Sequence, residues 1–286
     1  MSSSQLTYTT FAVAGGAGGL GALITKALLS QGAEVIVLTR SKDSAVPAGA
    51  AAKVVDYADS ASLSAALKGV QVVISALNAG GFGQQPALAD AAKAAGVKLF
   101  VPSEYGNPTH ELSADSLLHF KAALHQHLRT IGLPYTLYYT GWFSDYNFIP
   151  PFGFDVANKT LTIVGKGNTP ISFTSRPDVA HFIAYTLTHL PESKLQNAIL
   201  GVEGDRRTLV SLKQTFEEVF GGEFKLVHRD TDEVAKLVQE KREAVFLDYI
   251  LLSGELGEVQ IDNAQNSLVP GWQPLTVAAA LKKYFS

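Results

Sequence analysis

The chain has 286 residues, of which 47% are hydrophobic and 17% are charged, and this balance is typical of a folded globular protein. Its formal net charge of −3 lacks the basic excess that binding to many nucleic-acid phosphates requires. The chain contains no cysteine, which excludes disulfides, thiolate catalysis and cysteine metal sites.

The first ten residues, MSSSQLTYTT, lack the basic and apolar segments of a secretory signal. No uninterrupted run of 18 apolar residues occurs, so we expect no membrane-spanning helix. The histidines show no metal-ligand spacing, because His119, His125 and His127 share a predicted helix without sharing one of its faces. We therefore expect a cytoplasmic protein without a metal site, with neither nucleic acid nor a membrane as partner.

Short β-branched runs alternate with longer Ala- and Leu-rich stretches along the first half of the chain. They predict strands at residues 11–14, 34–39, 53–56, 70–77, 98–102 and 135–139, and helices at residues 19–30, 60–68, 86–95 and 113–131. Strands this apolar are buried on both faces, as in a parallel sheet with helices on each side. Repeated βα units with short connections predict a doubly wound α/β fold of the NAD(P)-binding Rossmann type.

The second half is less regular. A β-hairpin is predicted from residues 161–164 and 171–173, and helices are predicted at residues 177–190, 209–220 and 234–252. The Ala-rich residues 45–52 are expected to form a surface loop. We expect residues 1–150 to form the nucleotide-binding domain and residues 151–286 to form a smaller α+β substrate domain that covers a cleft above the sheet. As an alternative, part of residues 170–205 could join the main sheet.

A glycine-rich segment, GGAGGLG, lies between the first predicted strand and the first predicted helix. It matches G-x-G-x-x-G through Gly16, Gly18 and Gly21, and G-x-x-G-x-x-G through Gly15, Gly18 and Gly21. Such glycines permit a tight turn, let the backbone approach a pyrophosphate and allow the helix to pack closely on the strand. The helix then offers unpaired N–H groups to the anion. The alternative is a turn that binds nothing. The predicted cofactor contacts are Gly15, Gly16, Ala17, Gly18, Gly19, Leu20 and Gly21.

The second predicted strand ends in the sequence TRSK, which contains Arg40 and Lys42. In NAD-binding versions of this fold an acidic residue near this position holds the ribose 2′-hydroxyl. A guanidinium here would instead pair with a 2′-phosphate. The sequence therefore predicts NADPH as the cofactor, with Arg40 and Lys42 at its phosphate. The alternative is that Arg40 is an ordinary surface charge.

A lysine lies within the apolar stripe of the helix predicted at residues 113–131. Leu117, Lys121, Leu124 and Leu128 follow one another at helical spacing on one face. A lysine in such a stripe is costly unless it is paired, extends to the surface or loses its proton. It is either a proton donor or a side chain at the edge of the face. The Tyr and Lys pair of many short-chain dehydrogenases is missing, because no tyrosine has lysine at i+4.

Two further groups of residues come after predicted strands, where loops at the carboxyl end of a parallel sheet line the ligand crevice. Asn78 follows the fourth strand and is a cofactor candidate. The aromatic segment TGWFSDYNFIPPF follows the sixth strand and could stack on a flat aromatic substrate. Its candidates are Trp142, Phe143, Tyr146 and Phe148, and the alternative is that they pack one half of the chain against the other.

The segments GGAGGLG, LTRS, DYADSASLSAALKGVQVVISAL, KLFVPSEYG and HFKAALHQHLRTIGLPYTLYYTGWF follow one another in an order that resembles the isoflavone reductase-like and NmrA-like family of atypical short-chain dehydrogenases. The resemblance covers roughly residues 9–150 and continues more loosely through PDVAHFIAYTL and TLVSLKQTFEEVFG. It implies that Lys121 is the catalytic proton donor or base and that Ser103 and Glu104 lie near the nicotinamide. In plant members an arginine often follows the lysine by one turn. Here His125 takes that position, so we treat it as a candidate substrate contact.

These observations predict an NADPH-dependent reductase that passes hydride to an electron-poor carbon of a small aromatic, quinone-like or enone substrate, with Lys121 supplying or relaying the proton. The alternative is a cofactor-sensing regulator without turnover, since NmrA-like proteins include such sensors. A lysine on an apolar stripe favours the enzyme, because a sensor needs no proton donor. A homodimer is compatible with the sequence.

Overall fold

Parallel strands form the centre of the computed structural model, which describes residues 6–110, 112 and 116–286. The first five strands lie in the order β3-β2-β1-β4-β5. They are β1 (Thr10–Ala14), β2 (Glu34–Thr39), β3 (Ala51–Val54), β4 (Val72–Ser75) and β5 (Leu99–Val101). A parallel bridge between Phe100 and Tyr135 places β6 (Thr136–Tyr139) beside β5, and β11 (Ala198–Gly201) pairs in parallel with β6. The predicted doubly wound parallel fold is confirmed.

Helices cover both faces of this sheet because side chains alternate along its strands. These helices are α1 (Gly19–Ser30), α2 (Ser60–Ala66), α3 (Gln85–Ala94), α4 (His119–Thr130) and α5 (Arg176–His189). In β1, Phe11 and Val13 belong to the core beneath α1 and α5, whereas Ala12 and Ala14 belong to the core beneath α2, α3 and α4. A 3₁₀ helix, Ala79–Gln84, links β4 to α3. Helix α2 is capped by Asp59, whose carboxylate accepts the Ala61 N–H.

The second half of the chain forms a third core around Phe148, Phe173 and Phe216. Its strands are β7 (Trp142–Phe143), β8 (Phe154–Asp155), β9 (Thr160–Val164), β10 (Pro170–Thr174), β12 (Asp205–Thr208) and β13 (Lys225–Arg229). Its further helices are α6 (Leu209–Phe220), α7 (Thr231–Lys241), α8 (Phe246–Glu255) and α9 (Val277–Tyr284). Short 3₁₀ helices lie at Pro150–Phe152, Glu192–Lys194, Arg242–Val245 and Asn266–Leu268. The division of the chain into two domains at residue 150 stays a prediction.

The predicted hairpin of residues 161–173 is wrong. Strand β9 pairs with β13 and β8, whereas β10 pairs with β12 and β7, so the two strands belong to different sheets. The carboxylate of Glu255 accepts the backbone N–H groups of Lys166 and Gly167 in the connection. A distant helix therefore holds this turn, and the cross-strand bonds of a hairpin do not form.

Other predicted boundaries also differ from the structure, most of them by one or two residues. The third strand begins at Ala51 instead of residue 53, so the last part of the expected loop 45–52 is strand. Within the described residues the fourth helix begins at His119, and residues 113–115 of the prediction lie outside them. The helix predicted at 234–252 is two helices, α7 and α8, because Arg242 adopts a positive φ of 44° between them. Across the described residues no helix is both long and apolar enough to cross a membrane.

Candidate active site

The carboxyl ends of the central strands meet at one edge of the sheet and open into a cavity of about 830 Å³. It runs from the turn after β1 to the face of α4 and is covered by residues of α8. Most of the residues predicted from the sequence line it: Gly15, Ala17, Gly18, Gly19, Leu20, Arg40, Asn78, Ser103, Glu104, Lys121, Phe143 and Tyr146. The structure therefore brings residues from distant parts of the first half of the chain to one cavity.

The glycine turn approaches its neighbours so closely that side chains are excluded at two positions. Gly15 has a φ of 79°, and a Cβ there would lie 2.6 Å from the carbonyl oxygen of Ala76. A Cβ on Gly21 would lie 2.2 Å from the carbonyl oxygen of Gly15. At Gly18 and Gly19, by contrast, a Cβ would meet no atom within 4 Å. The tight contacts thus hold the turn against the sheet and leave its cavity side open.

The start of α1 has the features of an anion-binding site. Gly18 is the N-cap residue, no side chain caps the helix, and the first turn contains no acidic residue. Its N–H groups and the positive end of the helix dipole therefore remain available to a phosphate. Together with the open space at Gly18 and Gly19, these features fit the pyrophosphate of a dinucleotide. Gly16 does not line the cavity and packs on Val13 and Thr25 instead.

Arg40 directly follows β2, the strand beside β1, and is exposed at the cavity wall. Beside it lies Tyr57, whose hydroxyl is buried without a hydrogen-bond partner among the described residues. Burial raises the pKa of Tyr57 to about 12, although the nearby charge of Arg40 acts in the opposite direction. Lys42 is exposed and does not line this cavity, so its predicted phosphate contact has less structural support than that of Arg40.

The strand ends β4 and β5 contribute backbone and small polar groups. Asn78 lines the cavity and precedes the 3₁₀ helix without capping it through its side chain. The Ser103 hydroxyl donates to the carbonyl oxygen of Leu77 at 2.8 Å, and the Ser103 N–H donates to the Gln85 side chain. The hydroxyl of Ser103 thus links the segments that follow β4 and β5. This structural role is the alternative to a contact with the cofactor.

Lys121 projects from α4 into the cavity wall and is 7% exposed. Its Nζ donates to the backbone carbonyl oxygen of Glu104 at 2.8 Å and lies 3.5 Å from Oε2 of the Glu104 carboxylate. The ring of Phe82 lies 5.7 Å from Nζ. Because an ammonium group has three N–H bonds, a donor remains beyond the two contacts with Glu104. Lys121 is thus buried, paired and placed at the cavity rather than extended to the surface.

The Glu104 carboxylate is fully committed to neighbouring side chains. Oε2 accepts the Thr109 hydroxyl at 2.6 Å, and His125 Nε2 donates to Oε1 at 2.7 Å. Burial pushes the pKa of Glu104 upward, but the charge of Lys121 and the hydrogen bonds of His125 and Thr109 outweigh it and leave the pKa below its usual value. Glu104 is therefore ionised at neutral pH, and its carboxylate holds Lys121 instead of reaching for a cofactor.

The same contacts correct the prediction that His125 contacts the substrate. Its side chain is 1% exposed, its ring stacks on Tyr135, and it does not line the cavity. It lies one turn after Lys121 on the buried face of α4 and supports the far side of the Glu104 carboxylate. A direct substrate contact is thus not consistent with its position.

The loop that carries Glu104 holds a strained residue. Tyr105 has a φ of 43°, a conformation that costs energy for any side chain with a Cβ. Its N–H donates to the carbonyl oxygen of Tyr138, and its hydroxyl donates to that of Ser75 at 2.9 Å. These bonds keep the chain in the turn that places the Glu104 carbonyl beside Lys121.

The aromatic segment divides into two groups. Phe143 and Tyr146 line the cavity, and Tyr146 is 47% exposed. Trp142 and Phe148 are 4% and 1% exposed and belong to the core of the second half, where both pack on Phe173. For Trp142 and Phe148 the structure thus favours packing over a substrate contact.

The cavity is also lined by residues that the sequence did not single out, among them Tyr57, Phe82, Tyr105, Asn107, Leu118, Arg176, Phe246 and Ile250. Tyr57 and Phe82 follow β3 and β4, and their place after strands was an available signal. Three of these residues come from the second half of the chain: Arg176, Phe246 and Ile250. No local sequence pattern predicts that these parts of the chain lie next to the sheet. Among the described residues no group of three or more His, Asp or Glu side chains could hold a metal ion.

Comparison with known proteins places these features in context. The model of the NmrA-like family matches residues 7–272. An isoflavone reductase homolog from Zea mays is 30% identical over 216 residues, which cover 72% of this chain and 68% of that protein. The phenylcoumaran benzylic ether reductase POP1 from Populus trichocarpa is 27% identical over 279 residues, which cover 90% of each chain.

Solved structures show the same fold. The ternary complex of leucoanthocyanidin reductase from Vitis vinifera has a TM-score of 0.81 at 20% identity and covers 96% of this chain and 98% of its own. AtPrR2, solved with NADP+ and (+)pinoresinol, has a TM-score of 0.80 at 22% identity and covers 97% of this chain and 99% of its own. The resemblance inferred from the sequence motifs is confirmed: the chain belongs to the NmrA-like family.

Proposed function

We propose that this protein is an NADPH-dependent oxidoreductase that reduces a small aromatic, quinone-like or enone substrate. The observation that carries the proposal is a buried lysine, Lys121, held at the wall of a dinucleotide-sized cavity by a carboxylate. Relatives named as reductases support the reaction class. Structures of the same fold solved with NADP+ or NADPH support the cofactor.

The cavity lining offers candidate binding groups for the phosphates of the cofactor and for its nicotinamide end. The first-turn N–H groups of α1 and the open side of Gly18 and Gly19 would hold the pyrophosphate. Arg40 would pair with the 2′-phosphate, which an acidic residue at the same place would repel. Asn78 and the backbone near Ser103 lie farther along the cavity wall, toward Lys121. When bound, NADPH supplies hydride to an electron-poor carbon of the substrate.

Lys121 supplies the proton that balances this reduction. Its ammonium group is anchored by the Glu104 carbonyl, and the third N–H has no partner among the described residues. The Glu104 carboxylate compensates the positive charge while the His125 and Thr109 bonds prevent it from rotating away. Fixing a proton donor within reach of the substrate contributes typically 10²- to 10⁴-fold to the rate of such reactions.

Part of the cavity wall is suited to a flat apolar molecule. Phe143 and Tyr146 provide aromatic surfaces, and Phe246 and Ile250 of α8 add apolar area. An aromatic or quinone-like substrate would bury its rings here and exclude water from the reacting atoms. Two solved structures of this fold support an aromatic or quinone-like substrate. One is AtPrR2 with (+)pinoresinol, and the other is a quinone oxidoreductase from Escherichia coli.

The proposal is tested by following NADPH oxidation with a panel of quinones, enones and phenylpropanoids. Replacement Lys121→Ala should lower kcat by roughly 10²- to 10⁴-fold while the Kd for NADPH, measured by calorimetry, changes little. Lys93→Ala is a matched control, because the Nζ of Lys93 also donates to a backbone carbonyl oxygen, that of Gly132, but outside the cavity.

The outcomes separate the enzyme from the regulator. Turnover that survives Lys121→Ala would remove the proposed role of this lysine. Tight NADPH binding without turnover of any substrate in the panel would favour a cofactor sensor. Absence of NADPH binding would overturn the proposal as a whole.

A further inference from the structure

A third cationic side chain reaches the cavity, and it comes from the second half of the chain. Arg176, the first residue of α5, lines the cavity beside Phe143 and Tyr146. Its Nε donates to Oδ2 of Asp145 at 2.9 Å, and its backbone N–H donates to Oδ1 at 2.8 Å. Its two terminal nitrogens have no hydrogen-bond partner among the residues that the structure describes.

The guanidinium of Arg176 is held rigidly from two directions. One edge is fixed by the Asp145 carboxylate, whose side chain is 4% exposed. One face lies on the ring of Tyr146, with 4.6 Å between the guanidinium carbon and the ring centroid. An arginine ordered in this way loses little conformational entropy when its free edge binds a ligand. The side chain is still 23% exposed, so this free edge remains accessible.

The charges around the cavity indicate what that edge would bind. Among the residues that the structure describes, the charged ones on the cavity wall are Arg40, Lys121, Arg176 and Glu104, although the whole chain carries a net charge of −3. The single carboxylate among them is already taken by Lys121, His125 and Thr109. Within this described part of the wall, cationic side chains therefore outnumber free carboxylates. The planar fork of a guanidinium matches the two oxygens of a carboxylate or a phosphate.

We propose that the terminal nitrogens of Arg176 form an anion-binding subsite of the cavity, which takes two oxygens of a carboxylate or phosphate group. Resting on the proposed function, this chemistry has two sources: a carboxylate on the aromatic substrate or the diphosphate of NADPH. Asp145 acts as the residue that positions the guanidinium. The ring of Tyr146 then lies where it can contact the same ligand as Arg176.

The subsite is tested with Arg176→Met, which keeps a flexible unbranched side chain but removes the guanidinium and all its donors. Because this change leaves Asp145 buried without its partner, the double variant Asp145→Asn/Arg176→Met serves as a second form that avoids an unpaired charge. Arg207→Met is the matched control, since Arg207 also pairs with an aspartate, Asp205, through Nε but lies outside the cavity.

Two binding measurements identify the source of the anion. Calorimetry gives the Kd for NADPH, and difference absorbance gives the Kd values of 2-naphthoate and its neutral analogue 2-naphthalenemethanol on the protein with NADPH. Loss of roughly tenfold or more of the preference for 2-naphthoate, with unchanged NADPH affinity, would assign the subsite to a substrate carboxylate. Roughly tenfold weaker NADPH binding with the preference retained would assign it to the cofactor diphosphate.

The inference is overturned if neither quantity differs between the Arg176 variants and Arg207→Met. Failure of the proposed function would look different, because it would be seen in the unmodified protein as absence of NADPH binding and of turnover. The Arg176→Lys variant adds a geometric test. It keeps the positive charge without the planar fork and should recover only part of the lost affinity.

Discussion

The two ends of the cavity differ in what forms them: a glycine-rich backbone turn at one end and charged side chains at the other. Beside α1 the cavity is lined by one continuous turn through Gly15 and residues 17–20, whereas beside α4 it is lined by side chains from distant elements. The backbone end depends on the absence of side chains at Gly15 and Gly21. The side-chain end depends on a carboxylate, Glu104, that holds Lys121 in place. The first should therefore be sensitive to added atoms, and the second to removed charges.

The largest effect is expected at the side-chain end. Glu104→Gln removes the carboxylate that compensates buried Lys121, and breaking a buried charge pair typically costs about 3–5 kcal/mol. The amide would also present N–H donors toward His125 or Thr109, which donate to the carboxylate in the unmodified protein. Denaturant unfolding at neutral pH should show this loss. Turnover should fall with it, because Lys121 loses its anchor, and NADPH affinity should change less.

The pH dependence of stability provides a sharper form of the same test. The pKa of Glu104 is lowered in the folded protein, so its contribution is present above the unfolded value of about 4.3 and is lost as the pH falls through the folded value. The difference between unmodified protein and Glu104→Gln should therefore shrink below about pH 4.3. Glu217→Gln is the control, since Glu217 pairs with Lys213 at the surface and should contribute little. Equal effects of the two changes would contradict the role of Glu104.

At the backbone end the expected effect is smaller and depends on position. Gly21→Ala would place a Cβ 2.2 Å from the Gly15 carbonyl oxygen, and forcing these atoms apart should cost about 1–3 kcal/mol of stability. Gly18→Ala meets no atom within 4 Å, so the fold should tolerate it while the new methyl group enters the space for the pyrophosphate. Unfolding and NADPH calorimetry of both variants test this. Gly18→Ala with unchanged affinity would show that the pyrophosphate lies elsewhere.

This contrast also explains how much could be predicted from the sequence. The turn at residues 15–21 and helix α1 are local, and α1 begins and ends where the pattern placed it. Lys121 was found because a charge interrupts a helical stripe. The family resemblance implied that its partner Glu104 lies near the nicotinamide, which stays a prediction. The bond between Glu104 and Lys121 was not predicted, since it spans 17 residues and depends on the strained turn at Tyr105.

The second half could be predicted less well because its strands find partners far away in the chain. The connection 165–168 looks like a hairpin turn, yet the carboxylate of Glu255 organises it from 88 or 89 residues later. Strands β7 and β8 have two residues each and are too short to show an alternating pattern. Likewise, Arg176 reaches the cavity only because β10 pairs with β7, which no local signal specifies.

The smallest effect is expected at Arg40, which belongs to neither end of the cavity as defined above. Arg40 follows β2, the strand beside β1, and its side chain is exposed. Arg40→Gln should reduce the preference for NADPH over NADH by roughly tenfold, about 1.4 kcal/mol, since solvent weakens a charge-assisted bond at an exposed site. Lys42→Gln should leave the ratio of the two Kd values unchanged, because Lys42 lies outside the cavity. If Lys42→Gln changed the ratio and Arg40→Gln did not, the 2′-phosphate would lie beyond the end of the cavity, and the fit between this cavity and the whole dinucleotide would fail.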